Sequence, residues 1–181
     1  MLKTGPLIFV ICIVGFFLLP IKAKSQDPDV MLLRIESGGS VHFSINSLIK
    51  YQEGLAFESW TRLGIAFVDS ANLGRTWRLE FRASTDSIIG DYGRNIALEY
   101  LTLEAVDGGG SVTLGEAGNG VFEGETILSN AYQPLIINGP RGTSQDNKIL
   151  ISYRLGKGAE KLMGNPFGVY YVDIEFRIFP D

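Results

Sequence analysis

The groups that could do chemistry are few and far apart. The chain has one histidine, His42, between Val41 and Phe43, and one cysteine, Cys12, inside an apolar run near the start. A serine nucleophile needs a base and a shaped loop, yet no Gly-x-Ser-x-Gly elbow occurs and His42 has no visible partner. His42 therefore reads as a solvated or half-buried strand residue, the alternative being a catalytic base. One histidine and no second cysteine leave no zinc set of the usual kind. Asp86, Asp91, Glu99 and Glu104 invite the idea of a glycosidase carboxylate pair, but such a pair needs a defined separation across a cleft. With 20 acids in the chain, solvated surface charge is the plainer reading. Asp107 before Gly108-Gly109-Gly110, and Glu116-Ala117-Gly118-Asn119-Gly120, lack the alternating acids of a calcium loop and read as turns. Leu155-Gly156-Lys157-Gly158 lacks the Gly-Lys-Ser/Thr ending of a phosphate loop. The expectation is no catalytic residue, no cofactor and no metal.

Aromatic residues carry more weight. Trp60, Tyr92, Tyr132, Phe167 and Tyr171 fall in expected loops or on outward strand faces, where a ring can stack on a sugar or dock a protein. The alternative is core or isolated surface placement.

The elements that must position these groups are strands. In Trp77-Arg78-Leu79-Glu80-Phe81-Arg82-Ala83 every second residue is apolar and the residues between are charged, giving one dry and one wet face. The alternation returns near the end, with Tyr170, Val172, Ile174, Phe176 and Ile178 on one face and Tyr171, Asp173, Glu175 and Arg177 on the other. Further strands are expected over 31–36, 41–45, 63–69, 96–106, 120–128, 135–137 and 149–155. Turn residues separate most of them: Gly38-Gly39, Asn72-Leu73-Gly74, Asn138-Gly139-Pro140 and Asn165-Pro166 among others. Helical periodicity is scarce, with 158–163 the best candidate and a turn-like piece near 47–51 the next. Many short strands with frequent turns predict an all-β, antiparallel sandwich or barrel.

Compartment follows from the first residues. Lys3, an apolar run from Leu7 to Leu19, and a polar exit from Pro20 to Ser25 read as a secretory signal peptide. Ala23 and Ser25 supply the small residues that signal peptidase needs, so cleavage is expected after Ser25. The apolar run is short for a membrane span, which would be the alternative. The expected organisation is a signal peptide over 1–25 and one domain over 26–181, with no membrane span in the mature part. Losing 1–25 leaves 13 basic and 20 acidic residues, a formal charge of −7. An acidic domain argues against nucleic acid as a partner. With no cysteine after Cys12, the domain must hold together by burial and hydrogen bonds alone.

Phe43-Ser44-Ile45-Asn46, Tyr51-Gln52-Glu53-Gly54-Leu55, Trp77-Arg78-Leu79 and the ending Gly168-Val169-Tyr170-Tyr171-Val172-Asp173-Ile174-Glu175-Phe176 together resemble secreted fimbrial or adhesin-like β-sandwich proteins of Gram-negative bacteria. The ending is similar to the last strand of spore-coat-U-like pilins. The resemblance implies an immunoglobulin-like topology, other surface or fimbrial subunits and a periplasmic chaperone as partners, and polymerisation by strand donation between subunits. The donor would be the segment in which Met31, Leu33 and Ile35 alternate with Leu32, Arg34 and Glu36. Without donation, the same residues form the first strand of a self-sufficient domain. Three functions remain, in this order: a structural or adhesive surface subunit acting through protein contacts, an extracellular carbohydrate-binding module with glycans as partners, and an enzyme of unrecognised type.

Overall fold

A computed structural model describes residues 28–91, 93–156 and 162–181. The expected signal peptide and its cleavage point, Tyr92, and all but the end of the expected 158–163 helix lie outside those residues.

Strands dominate the described residues. In chain order they are β1 (Val30–Ser37), β2 (His42–Ile45), β3 (Leu55–Val68), β4 (Trp77–Ala83), β5 (Ser87–Gly90), β6 (Ile96–Ala97), β7 (Leu101–Asp107), β8 (Val121–Phe122), β9 (Thr126–Ile127), β10 (Gln133–Gly139), β11 (Gly142–Leu155), β12 (Gly168–Tyr171) and β13 (Ile174–Pro180). One short helix, α1 (Leu48–Glu53), follows β2, its first turn capped by the Ser47 hydroxyl accepting from the Lys50 N–H. It occupies the region expected to be the lesser, turn-like piece.

The strands form three antiparallel sheets, ordered β1-β3-β11-β7-β9, β13-β4-β10-β8 and β2-β12-β5-β6. Alternation decides which side chains meet between them. Leu63, Ile65 and Phe67 of β3, Ile149, Ile151, Tyr153 and Leu155 of β11, and Leu101 and Leu103 of β7 pack with Trp77, Leu79 and Phe81 of β4. Phe43, Ile45, Ile88 and Tyr170 of the third sheet join the same cluster. The result is an all-β, sandwich-like fold around one core.

The outward face of β4 departs from expectation at Glu80, which is buried. Its carboxylate accepts from Arg177 Nε at 2.8 Å and lies 2.6 Å from Arg177 Nη2, because β13 pairs with β4 and sets Arg177 opposite Glu80. Arg82 and Glu175 pair beside them, 2.7 Å apart. The wet face is thus a cross-strand ladder of opposite charges rather than free charge.

The expected terminal strand is two strands in two sheets. β12 pairs with β2 and β5, whereas β13 pairs with β4. Val172 and Asp173 form the corner between them, fixed by the Ser84 N–H donating to the Asp173 carbonyl at 3.0 Å. Val172, Ile174 and Phe176 are therefore half-buried at the rim, not sunk in the core as Trp77, Leu79 and Phe81 are. The expected strands over 96–106 and 120–128 are likewise divided, the first by a single 3-10 turn at Leu98–Tyr100 and the second into β8 and β9 of different sheets. Asn138-Gly139, expected to break the chain, instead ends β10. Asn138 takes φ 55°, and Gly139 runs so close beneath Trp77 that a Cβ would fall 2.1 Å from the indole.

Candidate functional site

Backbone irregularities beside β1 shape a cleft. In β3, Thr61 pairs with Ile151 and Phe57 with Tyr153, so Glu58, Ser59 and Trp60 bulge out opposite Ser152 alone. Ser59 sits at φ 50°, a left-handed conformation that a side chain adopts only at a cost. Its N–H is satisfied by the Ser152 hydroxyl at 2.9 Å. Bulges re-aim side chains; this one turns Trp60 outward, where its Nε1–H donates to the Ser40 carbonyl at 2.9 Å and its ring meets Phe57 edge-on at 5.1 Å.

The loop from β1 to β2 supplies one wall. Gly38 takes φ 68°, and a Cβ there would lie 2.1 Å from the Trp60 carbonyl oxygen, so only glycine fits. Its carbonyl accepts from the buried Thr61 hydroxyl at 2.5 Å. Thr61 Oγ1 is also 2.8 Å from the Tyr153 hydroxyl. Since the one hydrogen of Thr61 goes to Gly38, the Tyr153 hydroxyl is the donor in that second bond. Burial pushes the Tyr153 phenol up to about 12, against the opposing effect of the Thr61 hydrogen bond. The β12–β13 corner supplies the other wall. The enclosed space is about 160 Å³, with Thr61 and Tyr153 at its floor, Ser40 and His42 on one side, and Tyr171 and Asp173 on the other. Tyr171 and His42 are direct cross-strand partners, and both are exposed.

Placed against this geometry, the expected aromatics separate. Tyr171, 40% exposed, lines the cleft, whereas Trp60, 44% exposed, does not and rests on Phe57 beside the 38–42 loop. Tyr132 is no free platform: the guanidinium groups of Arg177 and Arg82 lie 3.3 Å and 4.5 Å from its ring centre, and its hydroxyl donates to Glu175 at 3.0 Å. Phe167 belongs to a separate apolar groove of about 380 Å³ with Leu48, Tyr51, Met163 and Pro166, where it meets Tyr51 edge-on at 5.3 Å. The two concavities stand at opposite ends of the β2–β12 ladder, the cleft at Tyr171 and His42, the groove beyond Gly168 and Ile45.

Acids considered for hydrolysis sit on different elements and are mostly committed. Asp86 accepts from Asn130 at 2.9 Å, Asp91 from the Val169 N–H at 3.1 Å, and Glu104 from Arg154 at 2.6 Å. Asp107 accepts from the Gly109 and Leu114 N–H groups, both at 3.1 Å, and so closes its own turn. No group of three or more metal-binding side chains converges among the described residues. None of their helices is long and apolar enough to cross a membrane.

Met31, Leu33 and Ile35 lie on β1, which pairs with β3 of its own chain as the outermost strand of its sheet. Only Leu33 packs on the core; Met31 and Ile35 are 43% and 50% exposed, as is Leu32 at 53% on the opposite face. Sequence reasoning missed Thr61, Tyr153 and Asp173 as parts of a site. The early signals for the cleft were Tyr171, His42 and the turn at Gly38-Gly39, none of which says what is enclosed. A scan against family models finds no match for this chain, and a search of curated proteins finds none either.

Proposed function

We propose that the chain is an exported, non-enzymatic domain of a bacterial cell surface. In this reading it is an immunoglobulin-like sandwich that serves as a structural or adhesive subunit and works through protein–protein contacts along β1. The observation that carries the reading is the condition of that strand. It is eight residues long, has an open outer edge, and leaves Met31, Leu32 and Ile35 in solvent. Surfaces of monomeric proteins usually blunt such edges with charge, proline or bulges; here Arg34, Glu36 and an irregularity between Ile35 and Ser37 blunt the second half, while Val30 to Leu33 carries no charge. A strand from a neighbouring subunit added there would gain main-chain hydrogen bonds and apolar contact on both faces.

Sedimentation of the exported chain over a range of concentrations tests this. The wild type is expected to form higher species as concentration rises. The Leu32→Lys, Ile35→Lys double variant is expected to stay monomeric with an unchanged unfolding transition. A wild type that remains a monomer at high concentration, and captures no other surface subunit, would overturn the reading.

A further inference from the structure

We infer that the strand added along β1 is β1 of a second copy of this chain, antiparallel and centred so that Leu33 meets Leu33. The inference rests on the reading of β1 as a docking edge and names what docks there.

The sheet edges among the described residues differ in what they can accept. β13 is an edge of seven residues, but Glu175 and Arg177 alternate with its apolar residues and Pro180 ends it, features that discourage pairing. β2 has four residues, and β6, β8 and β9 have two each. β1 pairs with β3 residue for residue from Val30 opposite Val68 to Ile35 opposite Leu63. That regular run turns main-chain groups outward at every second residue. Because β1 keeps its own partner, no segment has to leave its sheet.

The apolar side chains are spaced for a partner of the same sequence. Met31, Leu33 and Ile35 share one face, Leu33 packed on the core and the flanking two 43% and 50% exposed. A two-fold contact repeats each pair about its axis. With Leu33 at the axis, Met31 of each copy meets Ile35 of the other. On the opposite face each Leu32 lies against the aliphatic stem of the second copy's Arg34. Glu36 faces Val30 and is already balanced by Lys148 of its own sheet, 3.7 Å away. The two Arg34 stand on a diagonal, about 7–8 Å apart, with solvent beside them. Neighbouring registers do worse. Centring on Leu32 sets Ile35 opposite Asp29, and centring on Arg34 sets like charges directly opposite, which is destabilising. The chosen pairing joins two five-stranded sheets into one and, being two-fold, stops at the dimer.

Cysteine cross-linking tests the register. Cys12 is the chain's only cysteine, so the full chain with Cys12→Ser accepts single cysteines one at a time. Directly opposed strand residues lie about 4.5–5.5 Å apart at Cα, inside the span that a disulfide bridges. Leu33→Cys is expected to give a disulfide-linked dimer under mild oxidation, and Met31→Cys mixed with Ile35→Cys is expected to do the same. Neither of the latter should cross-link alone, because like positions stand about 13 Å apart. Val121→Cys, exposed on β8, gives the collision background, and adding Leu32→Lys should reduce the Leu33→Cys dimer to that level. Should Leu33→Cys fail to fold, the mixed pair makes the comparison from exposed positions. Higher species in sedimentation without these cross-links would overturn the self-pairing and leave β1 as an edge for some other strand. Cross-linking of Met31→Cys or Ile35→Cys alone above background would overturn the register, and the proposal with it. A chain monomeric at every concentration would remove both this pairing and the reading on which it rests.

Discussion

Thr61 links the cleft to the core with a single hydroxyl, and the consequence of losing it can be stated in advance. Thr61→Val keeps the shape but leaves the Gly38 carbonyl and the Tyr153 hydroxyl without their partner. Such a loss should cost about 1–3 kcal/mol in urea unfolding, with Thr61→Ser recovering most of it. Asp69 gives a pH prediction. Its buried carboxylate accepts from the Asn72 and Ala71 N–H groups and from Arg75. Chiefly the Asn72 N–H, helped by Arg75 and Ala71 and against the effect of burial, holds its carboxyl below the ordinary value. A depressed folded value means stability that is present above the unfolded carboxylate range, about pH 4, and is lost as pH falls through the folded value. Asp146 and Glu175 are lowered too and act in the same sense. The melting temperature should therefore drop on acidification from about pH 5, and drop less steeply in Asp69→Asn, whose starting stability is already reduced.

Among elements, β4 was the most legible because charge alternates with bulk along it. Phe81→Ala should cost about 3–5 kcal/mol in thermal or denaturant unfolding. Phe176→Ala should cost clearly less, since that ring is only half-buried. Equal losses would mean that the rim and the core are not distinct. The corner at Val172 and Asp173 was not legible. Alternation continues straight through it with no glycine or proline, so side-chain pattern alone cannot show that the partner strand changes. The bulge at Ser59 was hidden for a related reason: serine does not announce a left-handed backbone, which here is imposed by the pairing of Thr61 and Phe57 on either side. A cleft set beside one bulge and one corner thus escapes a reading based on residue type, although Tyr171 was already visible as an exposed aromatic.

For the whole molecule, cysteine content gives a simple expectation. Residues 26–181 contain none, so the unfolding temperature of a chain made of those residues should be the same with and without reductant. A shift would mean that a form retaining Cys12 was present. Intact mass should match a chain beginning at Gln26. The order in which the strands pair has a further, kinetic consequence. The central β3–β11 ladder joins Leu55 to Leu155, and the third sheet joins Phe43 to Tyr170. Neither can close while the second partner is still being made. Folds dominated by such distant pairings form in milliseconds to seconds, and until then β1 and β3 have only each other to cover them. A nascent chain of this topology stays open for most of its synthesis, which is compatible with threading through a narrow channel before any sheet is complete.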